Sequence, residues 1–293
     1  GGKALMKRVV FIGEEEEVLV FHQCSAFIYE WLLKQAHVKE ESLTDWLLYD
    51  ISSSNPNIYY KAFSRHEESE NGADWEWWIL TTDPLYKDKY NGYRFLVQAK
   101  KLWPNNQDNY SLLSYGNKNG FQIDLLLNEA RYRNAYPLYM FYTTTQPDIT
   151  EQIKNIQFIQ EETLRWCEDC NNGCFLLDAG SISEILFNLP RHKIFDTEIV
   201  NHSWKLSLLD KLFQDRSKSG HLLNEFNQRL IQLGGMDSKY NGGVYGIKHS
   251  SRGIPNYLKF FVEHQGQDLG WLEREMKFEI KEIGGLAVID LRE

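Results

Sequence analysis

Two short runs of this 293-residue chain carry polar side chains where strands are normally apolar. The first is Asn71-Gly72-Ala73-Asp74-Trp75-Glu76-Trp77-Trp78-Ile79, in which Asp74 and Glu76 alternate with Trp75 and Trp77. Strand side chains repeat with period two, so Asp74, Glu76 and Trp78 share one face. The second run is Phe95-Leu96-Val97-Gln98-Ala99-Lys100-Lys101, in which Leu96, Gln98 and Lys100 share a face while Phe95, Val97 and Ala99 fill the other. If the two strands are neighbours, two carboxylates, an amide and an ammonium converge. Packing alone does not call for such a group, because buried charge is costly unless paired or metal-bound. The chemistry it suits is that of a hard divalent cation, which takes a few carboxylate and carbonyl oxygens and keeps several waters. A nearby lysine then orients water or stabilises charge on a phosphate. The plain structural alternative is an inter-strand Asp74–Lys100 ion pair.

These residues resemble a known family. An Asp, a spacer of about two dozen residues and a strand ending in (Asp/Glu)-X-Lys mark the PD-(D/E)XK, or restriction-endonuclease-like, nuclease superfamily. Here Asp74 takes the first position and Gln98-Ala99-Lys100 the second. Gln98 in place of an acid is a departure, similar to the Gln-X-Lys form of Mrr-type restriction enzymes. Gln supplies only a neutral oxygen, and Glu76 could restore the missing charge. The resemblance implies metal-dependent phosphodiester hydrolysis with Mg²⁺ or Mn²⁺. Asp74 would hold the metal with Glu76 or Glu40, the backbone oxygen of Ala99 would be a further ligand, and Lys100 would position the water or steady the phosphorus. It also implies DNA as substrate and a bacterial restriction or antiphage role, held silent until a protein partner or homo-oligomer activates it. Two alternatives remain: a nuclease-fold binding or scaffold protein without catalysis, to which Gln98 points, and an RNA-cleaving, toxin-like nuclease.

Several elements must position this group. Upstream, Glu40-Glu41-Ser42-Leu43-Thr44-Asp45-Trp46-Leu47-Leu48 reads as a helix with Leu43, Leu47 and Ile51 in one stripe. If the helix reaches back to Glu40, that residue is the helix glutamate that many superfamily members link to the metal. If instead Ser42 caps the helix with Asp45 in a capping-box-like pattern, Glu40 lies outside it in solvent. Downstream, residues Gly120–Ala130 read as a helix, with Gln122 at its start either facing the site or solvated, and Pro137–Thr143 as a buried strand. The resulting fold is α/β: a restriction-endonuclease-like αβββαβ core with a mixed sheet, over about residues 40–180. A mainly helical C-terminal elaboration covers about 184–293, the whole chain forming a single domain. Further expectations are strands at Arg8–Ile12 and Val18–Phe21, and helices over about 25–37 and 149–170. Another strand starts at Cys174. Apolar helical stripes run through Leu206, Leu209, Leu212 and Phe213, then Leu222, Phe226, Leu230 and Leu233. A glycine-rich loop at 240–246 lacks the lysine and Ser/Thr of a P-loop, and a closing strand spans Gly284–Leu291.

Composition agrees with a globular protein: 42% hydrophobic and 25% charged residues. Aromatics at 14% suggest a filled core with some stacking surface. No apolar run approaches the ~20 residues of a membrane span, and the start reaches Glu14-Glu15-Glu16-Glu17 too soon for a signal peptide. The expected location is the cytoplasm, away from membranes. A net charge of −9 argues against nonspecific nucleic-acid coating. The cations Lys100, Lys101, Lys118, Arg131 and Arg133 cluster in sequence and would form a local positive groove, unless Lys118, Arg131 and Arg133 are ordinary surface charges, the reading that fits those three better; Lys101 and Gln122 are candidate nucleic-acid contacts. Cys167-x2-Cys170-x3-Cys174 resembles half a structural zinc site, needing Cys24 or His192 as fourth ligand. The competing reading places Cys174 in the core.

Overall fold

The computed structural model describes residues 10–11, 16–17, 19–63, 73–82, 90–133, 135–148, 171–187, 193–210, 213, 249–250, 255–267, 270, 274 and 283–292. In chain order the strands are β1 (Val10–Phe11), β2 (Glu16–Glu17), β3 (Ile58–Ala62), β4 (Trp75–Thr82), β5 (Tyr90–Lys101), β6 (Gly116–Asn117), β7 (Gly120–Phe121), β8 (Tyr136–Tyr142), β9 (Cys174–Asp178), β10 (Trp204–Lys205), β11 (His249–Ser250) and β12 (Gly285–Asp290). The α-helices are α1 (Val20–Lys34), α2 (Glu40–Ser54), α3 (Tyr110–Leu113), α4 (Gln122–Arg133), α5 (Ala179–Phe187), α6 (Asp196–His202) and α7 (Asn256–Glu263).

The fold is α/β, built on a mixed sheet in the order β10-β9-β8-β5-β4-β12-β3, with β11 on a free stretch of β5. Strand β5 runs antiparallel to β4 and parallel to β8. The crossover from β5 to β8 passes through α4, as a parallel pair requires. Consecutive strands usually neighbour one another, yet β3 and β4 are separated by β12, which is parallel to β4 and antiparallel to β3. The end of the chain is thus an interior strand of the sheet rather than part of a peripheral elaboration. Its sequence explains the position: Leu286, Ala287, Val288 and Ile289 are all buried, and a strand apolar on both faces suits the middle of a covered sheet.

Alternation along β5 divides the molecule into two layers. Ala99 and Lys101 share the face toward α1 and α2, where Tyr142 of β8 meets Thr44 of α2 hydroxyl to hydroxyl at 2.7 Å. Gln98 and Lys100 lie on the other face with their register partners Tyr139 and Phe141, and α4 packs there. Helix α2 begins at Glu40, with Lys39 rather than Ser42 at its N-cap. Leu43, Leu47 and Ile51 are fully buried, so the apolar stripe decides the helix and the capping box does not form.

Of the strand expected over Val18–Phe21, Val20 and Phe21 instead open helix α1, where Asp210 accepts the N–H groups of Phe21 (2.9 Å) and His22 (2.8 Å). Two orphan donors of the first turn are satisfied in that way. Leu206–Asp210, expected as helix, is a 3-10 turn. The expected helix at 149–170, the stripe Leu222–Leu233 with Leu212, and the loop 240–246 lie outside the described residues.

Candidate active site

Asp74 sits immediately before β4, and its backbone is held from both sides. Its N–H donates to Val97 O at 2.7 Å, and its carbonyl accepts from the N–H of Gly284, just before β12, at 2.6 Å. Its Oδ2 accepts two further bonds, from the Ala99 N–H (2.7 Å) and from Gln98 Nε2 (2.8 Å). Gln98 is 2% exposed. Its Nε2 also reaches Ala99 O at 3.0 Å, and its Oε1 is buried without a hydrogen-bond partner.

Glu40, the first residue of α2, reaches the same end of the sheet. Its Oε2 accepts the Lys101 N–H at 2.7 Å. Burial pushes the Glu40 carboxyl up to about 7; the Lys100 charge and the Lys101 N–H oppose the shift, and the Asp74 and Glu41 carboxylates add to it. Glu40 and Asp74 both line a cleft of about 280 Å³, together with Glu41, Asp45, Tyr60 and Trp75. Four carboxyl groups border this opening, so its wall is strongly acidic.

Lys100 is 8% exposed. Its Nζ lies 5.2 Å from the centre of the Tyr115 ring, and no ion pair among the described residues neutralises it. The Asp74–Lys100 inter-strand ion pair therefore does not form. A buried ammonium against an aromatic face, with two carboxyl groups beyond it, is expensive for stability alone. Tyr115 is fixed by the next element, since the N–H of Gln122 at the start of α4 donates to Tyr115 O at 2.9 Å. Gln122 Oε1 is a second buried oxygen without a partner.

Tyr139, which sequence reasoning passed over, is a third such group. It is the register partner of Gln98 on β8, and its hydroxyl is buried and unpartnered. Burial first, then the Asp74 and Asp124 carboxylates, raise the Tyr139 phenol well above its ordinary range. No local pattern marks it, because only the β5–β8 register places it at the site.

Two candidates go elsewhere. Glu76 is fully buried, and both of its oxygens are engaged. Oε2 accepts from Arg94 Nε (3.1 Å) and Nη2 (2.9 Å), and Oε1 accepts from the Trp78 indole and the Tyr257 hydroxyl. Lys101 Nζ donates to the carbonyls of Ala36 (2.8 Å) and Val38 (2.7 Å), tying the α1–α2 loop to β5. The expected positive groove is also dispersed. Arg133 pairs with Glu129 at the far end of α4, one helix length or about 18 Å from Gln122. Lys118 lies in the exposed turn of the β6–β7 hairpin.

The donor set fits a magnesium-like ion better than zinc. Among the described residues no group of three or more His, Cys, Asp or Glu side chains could hold one metal ion. Magnesium asks for one or two carboxylates and keeps its waters, and Glu40, Asp74 and the Ala99 carbonyl provide that much. Glu40's raised pKa comes first from burial, with the Asp74 and Glu41 carboxylates as lesser contributors. On the zinc expectation, Cys167, Cys170 and His192 lie outside the described residues. Cys174 and Cys24 are buried free thiols, and Cys24 Sγ donates to Asp50 Oδ2 at 3.0 Å.

Among the described residues no helix is long and apolar enough to cross a membrane. The model of a family of unknown function, DUF6615, matches residues 18–278, and the chain belongs to that family. The chain matches no curated protein and no solved structure.

Proposed function

We propose that this chain is a metal-dependent nuclease of the PD-(D/E)XK type that hydrolyses phosphodiester bonds in DNA. The observation that carries the reading is the meeting of Asp74, Glu40 and the un-neutralised Lys100 at one end of β5. Two carboxyl groups and an ammonium approach one another there without cancelling. The interior β12 strand departs from the simple αβββαβ arrangement, so the support comes from the site and its strands, β4, β5 and β8, rather than from the whole sheet.

In this reading Asp74, Glu40 and the Ala99 carbonyl would hold Mg²⁺ or Mn²⁺. Bound there, the cation supplies a more acidic water and offsets negative charge on the phosphate. The chain's own residues do the rest. The Ala99 N–H and Gln98 amide fix the Asp74 carboxylate in one orientation. Lys100, desolvated against Tyr115, stabilises charge that develops on the phosphoryl oxygens, where a buried donor is worth more than in water. Glu40 would serve as a ligand in its ionised form, so binding of the cation would be favoured as pH rises. Glu76 and Lys101 take structural roles: one holds Arg94, the other the α1–α2 loop.

The test is cleavage of supercoiled plasmid and of single-stranded circular DNA by the purified protein in Mg²⁺, Mn²⁺ or EDTA, beside Lys100→Ala, with an RNA substrate in parallel. Metal-dependent cutting of DNA that falls by roughly 10²–10³-fold in Lys100→Ala is expected, the scale for losing one preorganised charge-stabilising donor. Cutting of RNA alone would transfer the activity to the other nucleic acid. Equal cutting in EDTA would overturn the metal mechanism.

A further inference from the structure

We propose that Tyr139 is a positioning residue for the candidate metal centre, holding the Gln98 amide so that its N–H end stays on Asp74. This inference rests on the reading of Asp74 as a metal ligand, and it adds a residue that acts only through another. Gln98 stands between the two groups. On one side its Nε2 donates to Asp74 Oδ2 at 2.8 Å. On the other it is the register partner of Tyr139 in the parallel β5–β8 pair, and register partners project to the same face of a sheet. Both side chains are buried. Gln98 Oε1 is an acceptor without a hydrogen-bond partner, and the Tyr139 hydroxyl is a donor without one. The hydroxyl also lies within the field of the site. Burial first, then the Asp74 and Asp124 carboxylates, keep the phenol protonated and therefore a donor.

Packing gives no reason for a hydroxyl at this position. Phe141, the next residue on that face of β8, is a plain phenyl ring stacked on Tyr139, with ring centres 5.5 Å and planes 7° apart. A phenylalanine would fill the Tyr139 slot equally well, whereas a buried hydroxyl is costly unless something uses it. The near-symmetry of the amide supplies the use. The two ends of the Gln98 amide differ little in shape, yet Nε2 faces two acceptors, Asp74 Oδ2 and the Ala99 carbonyl. Reversing the amide would press Oε1 against both. A hydroxyl that donates to Oε1, directly or through a bridging solvent molecule, fixes which end faces Asp74. Outer groups of this kind orient a metal ligand and tune its hold on the metal.

The experiment is calorimetric titration of Mn²⁺ into the full chain. The parent is compared with Tyr139→Phe, Gln98→Met and the double variant, and each is also melted without metal. Mn²⁺ affinity is expected to fall roughly 10- to 100-fold in Tyr139→Phe. Its metal-free melting temperature should stay equal or rise, because no hydrogen bond of the structure is lost. The double variant should bind no more weakly than Gln98→Met alone, as expected of a residue that acts through Gln98. Unchanged affinity in Tyr139→Phe would overturn the proposal, whatever its stability, and so would a parent that takes up no Mn²⁺. Losses that add in the double variant would also overturn it and direct the hydroxyl to Asp124 instead. Plasmid cleavage by the same proteins separates this inference from the nuclease reading. Metal-dependent cutting by the parent, with unchanged affinity in Tyr139→Phe, keeps the nuclease and removes the role of Tyr139. Weakened affinity in Tyr139→Phe, with no cutting of DNA or RNA by the parent, keeps that role and removes the nuclease.

Discussion

The Lys101 backbone N–H donates to Glu40 Oε2 at 2.7 Å, joining the first residue of a helix to the strand that carries Lys100. A single peptide group thereby sets the distance between the acidic wall and the lysine. Lys101 Nζ reinforces the same join by holding Ala36 and Val38. Position, rather than any one residue's reactivity, defines the site.

Glu40 makes that position pH-dependent. Its carboxyl titrates near 7 in the folded chain, against 4.5 ordinarily. The folded state therefore holds more protons than the unfolded state between those values, and stability falls as pH rises from about 4.5 through 7. The penalty is absent below 4.5 and complete above 7. Allowing for partial solvent access, it amounts to about 1–3 kcal/mol. Glu40→Gln removes it while keeping an oxygen for the Lys101 N–H. Without metal, its melting temperature at pH 8 should exceed the parent's by a few degrees, with no difference at pH 4. Thermal melts at the two pH values check this; an equal or lower melting temperature at pH 8 would show that Glu40 is not held at a cost.

Glu76 and Asp74 are two residues apart and behave oppositely. Glu76→Gln leaves the buried Arg94 guanidinium uncompensated, which costs about 3–5 kcal/mol. A marked fall in denaturation midpoint is expected, while Mn²⁺ affinity of the remaining folded protein stays roughly unchanged. Calorimetric titration below the melting range separates the effects. A variant of undiminished stability that no longer binds Mn²⁺ would make Glu76 a ligand after all.

Lys101→Met tests whether this lysine serves the loop or the nucleic acid. It loses two bonds to carbonyls but keeps the backbone N–H to Glu40. Destabilisation of about 1–2 kcal/mol is expected, with the salt slope of oligonucleotide binding unchanged. A lower slope with unchanged stability would return Lys101 to phosphate contact.

Gly173 has a similarly mechanical role where β9 meets α1. A methyl group there would lie 2.4 Å from the Tyr29 N and 2.9 Å from the Ile28 carbonyl carbon, both backbone. Gly173→Ala must push α1 away from the sheet and should cost about 1–3 kcal/mol, the scale of overpacking. Urea denaturation measures it; a neutral result would mean α1 docks more loosely than these contacts imply.

What was readable in the sequence was what local periodicity decides. The stripe Leu43, Leu47 and Ile51 drew α2 back to Glu40, and alternation put Gln98 and Lys100 on one face. What could not be read depends on partners far along the chain. Glu76 is taken by Arg94 and Tyr257, and no period announces a partner 181 residues away. Tyr139 reaches the site only through the β5–β8 register. The insertion of β12 between β3 and β4 is likewise a choice among strand pairings that apolar runs such as Leu286–Ile289 leave open. Sequence proximity of charges does not decide their place: Arg133, on the last turn of α4, pairs with Glu129 on its own helix.

The central claim is that Asp74 is the anchor of a phosphodiester-cleaving centre. The measurement that tests it most directly is the rate of DNA cleavage in Mg²⁺ by the parent and by Asp74→Ala, with folding of both verified by circular dichroism. The account predicts metal-dependent cleavage by the parent and a loss of at least about 10³-fold in the variant, as several kcal/mol of transition-state stabilisation disappear. Full activity in folded Asp74→Ala would contradict it.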